Sequence, residues 1–492
     1  LSLRLRFLLD TNIIIPLQDS FIALEPSLAN FVRLAGTGGH QLLYHPASEI
    51  DIRRDSDVAR RNRTLTRLKQ YSVLQDGPPC PWNTPGTSPN DACDNEILYA
   101  LERDAIHALV TEDQKLHSKA KTRGLSHRVY FIQSAEDWLQ RLHVPAEIRL
   151  PHIVDVELHT LTTELTHQFF DSLRAGYQDF DRWFRSKAQE GRRAWIYRSE
   201  GGDVAAICIY TVQHNERITD DGQFLTGDAL KLCTFKVGES VRGRKIGELF
   251  LRAAFRYGSD HKCEAIFLHA NPTRHSHLSA LLDDFGFFDI GAYSEDRVYV
   301  KKHPVAAPPD LQISAFDYVK NFYPHYVSGA NIQKFLVPIQ PRYHDILFPD
   351  YGDPGASLPA NHPRTHVGNA IKLAYLSHAP INRVREGDIV LFYRTHDLKA
   401  VTTLAVVERF EVLNSPADIA SLVSRRTVYS DQEIVELARQ PTKVMLFRLI
   451  EHFPTEVPYS QLRRQHVIRG HIQSIQAITD ESFSRVLRAA GR

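Results

Sequence analysis

Acidic side chains recur at matched places along the start of the 492-residue chain, and their spacing is the first sign of chemistry. Asp10 ends the apolar run RFLLD, Glu49, Asp51 and Asp55 follow HQLLYHP, Asp91 and Asp94 stand before ILYAL, and Asp113 ends ALVTED. If these runs are elements of an open α/β layer, their carboxylates gather where parallel strands end, which is where such sheets place functional groups. Crowded carboxylates repel one another and need a counterion, and hard oxygen ligands of this kind select Mg²⁺ or Mn²⁺. A cation held there can activate water against a phosphodiester. Taken singly, Asp51 and Asp91 also suit helix N-caps, and Asp113 a turn.

A second stretch, LKLCTFKVGESVRGRKIGELFLRAAFRYG (Leu230 to Gly258), passes from a strand pattern through a basic, glycine-containing turn into an amphipathic helix. Amides from Gly243 to Gly247 then stand at a helix N-terminus, where they and the helix dipole can hold a pyrophosphate. Arg242, Arg244 and Lys245 add positive charge.

The elements that must carry the acids fill residues 1–143. RFLLD reads as a buried parallel strand, HQLLY and ALV as two more, and Ile97, Leu98, Leu101, Ile106 and Leu109 as an apolar stripe. The order D-x-N, an acid about forty residues on, D-x-x-I-L and T-x-D resembles the PIN-domain nucleases. The resemblance implies that Asp10, Asp51, Asp94 and Asp113 bind metal and are catalytic, with Glu49 and Asp91 as register alternatives. Arg53, Arg54, Arg60 and Arg61 run beside Asp51 and could track a phosphate backbone, or form a solvated helix face.

Residues 144–303 read as strand, two helices, a hairpin turning at Glu200 to Asp203, the opening strand and helix, the strand EAIFLHAN, the helix HLSALLDDFGF and the strand RVYVK. Together with Arg242 and Gly247, this order resembles the GNAT acetyltransferases, although Lys245 stands where the first glycine of their loop belongs. The resemblance implies acetyl-CoA or another acyl-CoA near Val237, Val241, Arg242, Gly243, Arg244, Lys245, Ile246 and Gly247. It also puts Leu282 where the family's tyrosine proton donor is expected. Glu239 and His269 are then candidate bases, and Tyr293, with Tyr299 nearby, a candidate catalytic hydroxyl.

PVAAPPD (304–310) is a proline-rich linker. Beyond it, residues 311–492 hold short β-like runs, and REGDIVLFYRTHDLKAVTTLAVVERF resembles the PUA-like superfamily in its ASCH/EVE branch. That resemblance implies a small β-barrel that binds RNA or a modified base; Phe392 and Tyr393 could supply a stacking face or be strand core, with Arg394, Arg425, Arg426 and Thr427 as polar contacts.

The expected fold class is therefore α/β: an N-terminal PIN-like parallel sheet with helices, a central GNAT-like mixed sheet with helices, and a C-terminal PUA-like small β-barrel with helices. Composition fits a multidomain chain, with 43% hydrophobic and 24% charged residues, net charge +1 and no long apolar run. Near-neutral charge removes bulk polyanion binding, so local clusters must carry any nucleic-acid role. Five cysteines without a C-x-x-C pair point to a reducing cytoplasm. The expectation is an RNA-directed enzyme, with tRNA among the candidates, joining metal-dependent cleavage to acyl transfer as in toxins or defence effectors. An antitoxin or a second copy of the chain would be a further partner, and no membrane is expected. The alternatives are an N-acetyltransferase whose flanking domains only recruit substrate, and a non-catalytic sensor of acyl-CoA and nucleic acid.

Overall fold

Phe7, Leu8 and Leu9 are buried, as are Ala108, Leu109 and Val110, and these two runs form adjacent central strands of a parallel sheet. Strands covered on both faces need such uninterrupted apolar runs. The computed structural model describes residues 3–492 apart from 19–25, 70, 76, 78–79, 85–86, 144–152, 200, 239–240, 242–244, 273–275, 310–311, 349, 352–370, 425 and 427–428. The chain forms two compact units, Leu1–Ala146 with Leu413–Thr442, and Glu147–Val412 with Lys443–Arg492.

In the first unit, β1 (Arg6–Leu9), β2 (Gln41–Tyr44), β3 (Ser72–Val73), β4 (Ala108–Val110) and β5 (Val129–Tyr130) lie in the order β3-β2-β1-β4-β5, all parallel. Asp10 thus sits at the carboxyl end of the central strand, and helix Thr11–Gln18 starts directly after it. Helices Pro46–Ile52, Pro89–Glu102 and Gln114–Thr122 carry or follow the other acids. Residues 413–442, which the sequence reading leaves with the C-terminal segment, belong to this unit. Tyr130 Oη lies 2.7 Å from Ser424 Oγ, and Ser421 Oγ donates to the His107 carbonyl at 3.2 Å.

The second unit opens with β6 (Val154–Glu157), β7 (Arg193–Arg198), β8 (Val204–Arg217), β9 (Phe224–Val237), β10 (Ala265–Ala270), β11 (Phe288–Tyr293) and β12 (Asp296–Lys302). They make one sheet ordered β11-β12-β10-β9-β8-β7-β6, antiparallel except for the parallel pair β9 and β10. Helix Ile246–Asp260 buries Phe250, Leu251, Ala254 and Phe255 in a core with Leu230, Leu232, Ile266 and Leu268. A separate core joins Leu161, Leu165, Phe170 and Phe184 to Ile196, Ile207 and Ile209.

The remaining strands are β13 (Lys334–Ile339), β14 (Lys372–Ser377), β15 (Ile389–Arg394), β16 (Ala400–Leu413), β17 (Thr442–Pro458) and β18 (Gln476–Ile478). Their order is β14-β17-β16-β15-β13-β18, with β13 and β15 parallel. Among the described residues no ladder joins β14 to β18, so these strands stand as a mixed six-stranded sheet and the expected barrel is not confirmed. A period of two reads strands from a sequence, but it does not say which strands pair. Among the described residues no helix is long and apolar enough to cross a membrane.

Gly286 closes helix Ser276–Asp284 at φ 75°, and a Cβ there would overlap the carbonyl of Lys320. Only glycine meets both demands. Gly286→Ala should cost about 3 kcal/mol, combining left-handed strain with overpacking. Urea unfolding of the second unit's transition measures this, and an unchanged midpoint would refute it.

Candidate functional site

Strands β9 and β10 pair from Ala229/Ala265 to Leu232/Leu268 and then part. Just beyond, the β8–β9 register skips Cys233, pairing Ile209 with Thr234 and Tyr210 with Leu232. A bulge of this kind bends and twists a strand. From Cys233 to Val237, β9 keeps β8 on one side and has no ladder to β10 on the other. Free amides and carbonyls on such an edge call for partners, so the cleft suits an extended polar molecule.

Helix Ile246–Asp260 follows this edge. Its cap, Lys245, takes φ 52°, the left-handed conformation usually left to glycine. The backbone therefore keeps the shape that the expected loop glycine would supply. The side chain turns elsewhere: Lys245 Nζ donates to the Lys372 carbonyl at 3.1 Å and lies 3.8 Å from Glu248 Oε2. The expectation that Lys245 lends charge to a pyrophosphate is corrected accordingly, because this ammonium is spent on the sheet of β14. The amides of Ile246, Gly247 and Glu248 form the first turn of this helix, where backbone N–H groups lack an intrahelical acceptor. A Cβ on Gly247 would come to 3.1 Å from Leu281 Cδ2, so helix Ser276–Asp284 sits tightly against this turn. Val241 and Ile246 are buried core supports and Val237 is half-buried. Glu239, Arg242, Gly243 and Arg244 lie outside the described residues.

His269 is the first residue of β10 past its last pair with β9. Its Nε2 is buried without a hydrogen-bond partner, and its ring centre lies 4.7 Å from that of Tyr293. Burial first, then the charge of Lys231, pushes its pKa down to about 4, so the imidazole is neutral at neutral pH. Tyr293 is exposed, whereas Tyr299 Oη is within 3.1 Å of Ser279 Oγ. Leu282 is fully buried in the core.

In the first unit, Asp10 Oδ1 accepts from the Thr11 amide at 2.7 Å, and Asp10 Oδ2 from Thr111 Oγ1 at 2.7 Å. Thr111 Oγ1 also receives Asn12 Nδ2 at 3.2 Å and the Asp113 amide at 3.0 Å, tying β1 to β4. Asp113 caps helix Gln114–Thr122, accepting from Lys115 N and Leu116 N. Burial first, outweighing the hydrogen bonds from Thr111 and Thr11 and aided by Asp94 and Asp113, raises Asp10 to about 6. Burial, then Asp51, Asp10 and Asp94, pushes the Cys93 thiol up to about 12, which locates Asp51 near the same carboxylates. Asp94 is also raised, by burial first. Its counterion is Lys119, whose Nζ lies 2.7 Å from Asp94 Oδ2 and also meets Asp91.

Among the described residues no three His, Cys, Asp or Glu side chains come together as a metal cage. The four expected aspartates thus stand as a loose acidic cluster with an ammonium in it. Its hard oxygens suit Mg²⁺ or Mn²⁺ chemically, but their present placement does not ligate one. Sequence reading missed Lys119; the signal was a lysine following Asp113 on the same helix.

The remaining nucleic-acid candidates are mostly engaged. Arg53 pairs with Glu49, Arg54 with Asp51 and Arg60 with Asp55, while Arg61 donates to the Asp55 carbonyl. Phe392 is fully buried against Phe348, Tyr375 and Phe447 and offers no face to a base. Arg394 pairs with Asp345 and Asp397, Arg426 is buried, and Arg425 lies outside the described residues.

A mixed sheet thus parts at its one parallel pair, and a helix starts beside the gap. Residues 158–287 match the acetyltransferase (GNAT) family, so the chain carries a GNAT acetyltransferase domain there. No curated protein matches the chain. Among solved structures, a GNAT-family acetyltransferase of Staphylococcus aureus Mu50 is 16% identical over 31% of this chain and 99% of its own, with a TM-score of 0.24. Arabidopsis thaliana NAA60, solved with acetyl-CoA, is 14% identical over 31% and 99%, with a TM-score of 0.25. The ASCH protein of Zymomonas mobilis is 15% identical over 32% and 94%, with a TM-score of 0.24.

The raised Asp10 carboxyl makes stability depend on pH. A carboxyl raised from 3.8 to about 6 in the fold contributes stability below pH 4 that is lost as pH climbs through 6. The loss amounts to about 3 kcal/mol at about 1.4 kcal/mol per pH unit. In EDTA, the stability of Asp10→Asn relative to the parent should rise by that amount between pH 4 and pH 7. Parallel urea-denaturation curves across that range would contradict the buried, crowded carboxyl.

Proposed function

We propose that the central domain is an acyl-CoA-dependent N-acyltransferase. The observation that carries this is the GNAT match over 158–287, falling on a sheet that parts between β9 and β10. The acyl-CoA supplies a thioester carbon open to attack by an amine. On the protein side, the amides of Ile246, Gly247 and Glu248 hold the pyrophosphate, and the β9 edge from Cys233 to Val237 orients the amide-bearing arm. His269, neutral and beside the parting, takes the proton released as the amine nitrogen bonds to the acyl carbon and the carbon–sulfur bond breaks. Leu282 cannot protonate the departing sulfur, and Tyr293, its ring tilted against that of His269, is the hydroxyl available beside it.

Calorimetry with acetyl-CoA and a thiol-release assay with a panel of amines test the reading. Gly247→Trp should abolish binding, because Leu281 already crowds that position. His269→Gln should bind normally and lose about a hundredfold in kcat, the scale of a missing general base. Absent binding, or binding indifferent to Gly247→Trp, would remove the assignment. Tight binding without thiol release would make the domain an acyl-CoA sensor.

A second reading concerns the first unit: cleavage of phosphodiesters in RNA at Asp10, Asp51, Asp94 and Asp113. It is supported by the parallel order β3-β2-β1-β4-β5 and by the mutual influence of Asp10, Asp94 and Asp113. Cleavage of labelled RNA in Mn²⁺ should fall at least a hundredfold in Asp10→Asn and Asp113→Asn, on the scale set by losing a charged group from such a site. Cleavage undiminished in both would end this reading.

A further inference from the structure

The last 34 residues of the chain, 459–492, contain Arg463, Arg464, Arg469, Arg485, Arg488 and Arg492 against only two carboxylates, Asp480 and Glu481. Both acids are already spent. Asp480 pairs with the buried Lys334, 2.6 Å away, and Glu481 pairs with Arg485. Arg492 pairs in turn with Glu451. Arg463, Arg464, Arg469 and Arg488 are exposed, and no carboxylate meets any of them among the described residues. A net positive face is left over on a chain whose overall charge is close to zero.

This face has a shape. Gln465, His466, Arg485 and Arg488 line an open groove of about 360 Å³ between helices Tyr459–Arg464 and Asp480–Ala489. Arg485 Nη1 donates to the Gln465 carbonyl at 2.6 Å, which pins the groove wall. Val467, Ile468, Phe483 and Val486 are buried beneath it, so the groove is built on a packed floor. At the first residue of helix Tyr459–Arg464, Tyr459 and the exposed His471 stack with ring centres 5.4 Å apart and planes within 5°. The Tyr459 amide donates to the Lys399 carbonyl at 2.7 Å, which brings the exposed Lys399 beside it.

We propose that this groove binds a single-stranded nucleic acid, with the free arginines on its phosphates and a base stacked on His471. Guanidinium forks fit phosphate oxygens, and flat rings accept the face of any base, so the two groups together match a strand with unpaired bases. An acidic peptide would use the arginines and leave the aromatic pair idle. An anionic membrane would want exposed apolar side chains, and none of the large exposed hydrophobics among the described residues falls in 459–492. The proposal rests on neither the acyltransferase reading nor the nuclease reading.

Fluorescence anisotropy on the full chain in EDTA tests it, using labelled ten-nucleotide oligouridine, the oligothymidine equivalent, a ten-base-pair duplex and polyglutamate as competitor. Both single strands should bind at least tenfold tighter than duplex, and a preference for oligouridine would assign the strand as RNA. Arg488→Gln should lower the slope of log affinity against log salt by about one, the signature of a lost phosphate contact. Tyr459→Ala with His471→Ala should weaken single-strand binding by about tenfold, as expected for one stacked base, and leave duplex binding unchanged. Acetyl-CoA calorimetry on the same variants, unchanged from the parent, keeps this result separate from the acyltransferase reading and shows that the fold survives. Equal affinity for duplex, equal competition by polyglutamate, or indifference to both variants would overturn the proposal.

Discussion

The gap in the sheet of β6 to β12 depends on five residues of β9, Cys233 to Val237, that keep one strand partner and lose the other. An unpaired strand edge inside a sheet is costly unless something satisfies it. The fold maintains that cost by holding the sheet from both faces. Phe250 and Leu251 press on one side, while Phe170 and Phe184 pack on the other. The bulge at Cys233 adds twist at the point of parting, which turns the free edge away from β10. Gly286 then lets the chain leave helix Ser276–Asp284 close to Lys320, where any side chain would collide.

Helix Ile246–Asp260, which starts at that edge, is fixed at its charged residues by the C-terminal sheet. Glu248 is buried and accepts the amide of Lys372 at 2.7 Å. One turn on, Arg252 pairs with Asp350, and His452 Nε2 meets the other oxygen of that carboxylate at 3.3 Å. Burial works to raise the Asp350 carboxyl, but Arg252 and His452 outweigh it and hold the group well below the usual range. The line continues through Thr403, 2.9 Å from His452 Nδ1, and Thr402 to the buried His344. A buried ion pair adds little net stability over an apolar packing, yet losing one partner costs about 3–5 kcal/mol. Such contacts therefore set position more than stability. The residues around β14 are a mount for helix Ile246–Asp260, and Lys245 belongs to that mount.

What could be read from residues alone follows from this division. Apolar runs marked β1, β2, β4 and the helix at Ile246, because burial writes itself into local composition. The acids at strand ends were legible for the same reason. Pairing partners were not: β15, with Ile389 to Tyr393 buried throughout, has no polar face from which to read orientation, so Phe392 looked like a stacking surface and is core. The transfer of residues 413–442 to the first unit left no mark either, since a hydrogen bond such as Tyr130 to Ser424 joins residues nearly three hundred positions apart. Lys245 and Lys119 were visible as charges, but the direction of a long flexible side chain is decided by its tertiary neighbours. The basic stretch 459–492 escaped because its arginines are spread over two helices and a loop, and none is a motif.

The acidic cluster and its lysine can be weighed by magnitude. Among the described residues Lys119 meets Asp91 and Asp94 and makes no ion pair with Asp10. Burial first, then the charges of Asp94 and Asp113, raises Asp10 to about 6. The Lys119–Asp94 pair is partly open to water, with 30% and 22% of its side chains exposed. Pairs of this kind contribute about 1 kcal/mol or less. Displacing Lys119 from Asp94 is therefore a small cost for any cation that could also reach Asp10. Because Thr111 holds Asp10 and the Asp113 amide together, Asp10 and Asp113 have little freedom to move. Asp94, on the neighbouring helix, is the carboxylate whose commitment is cheapest to change, so the state of this site turns on which partner Asp94 keeps.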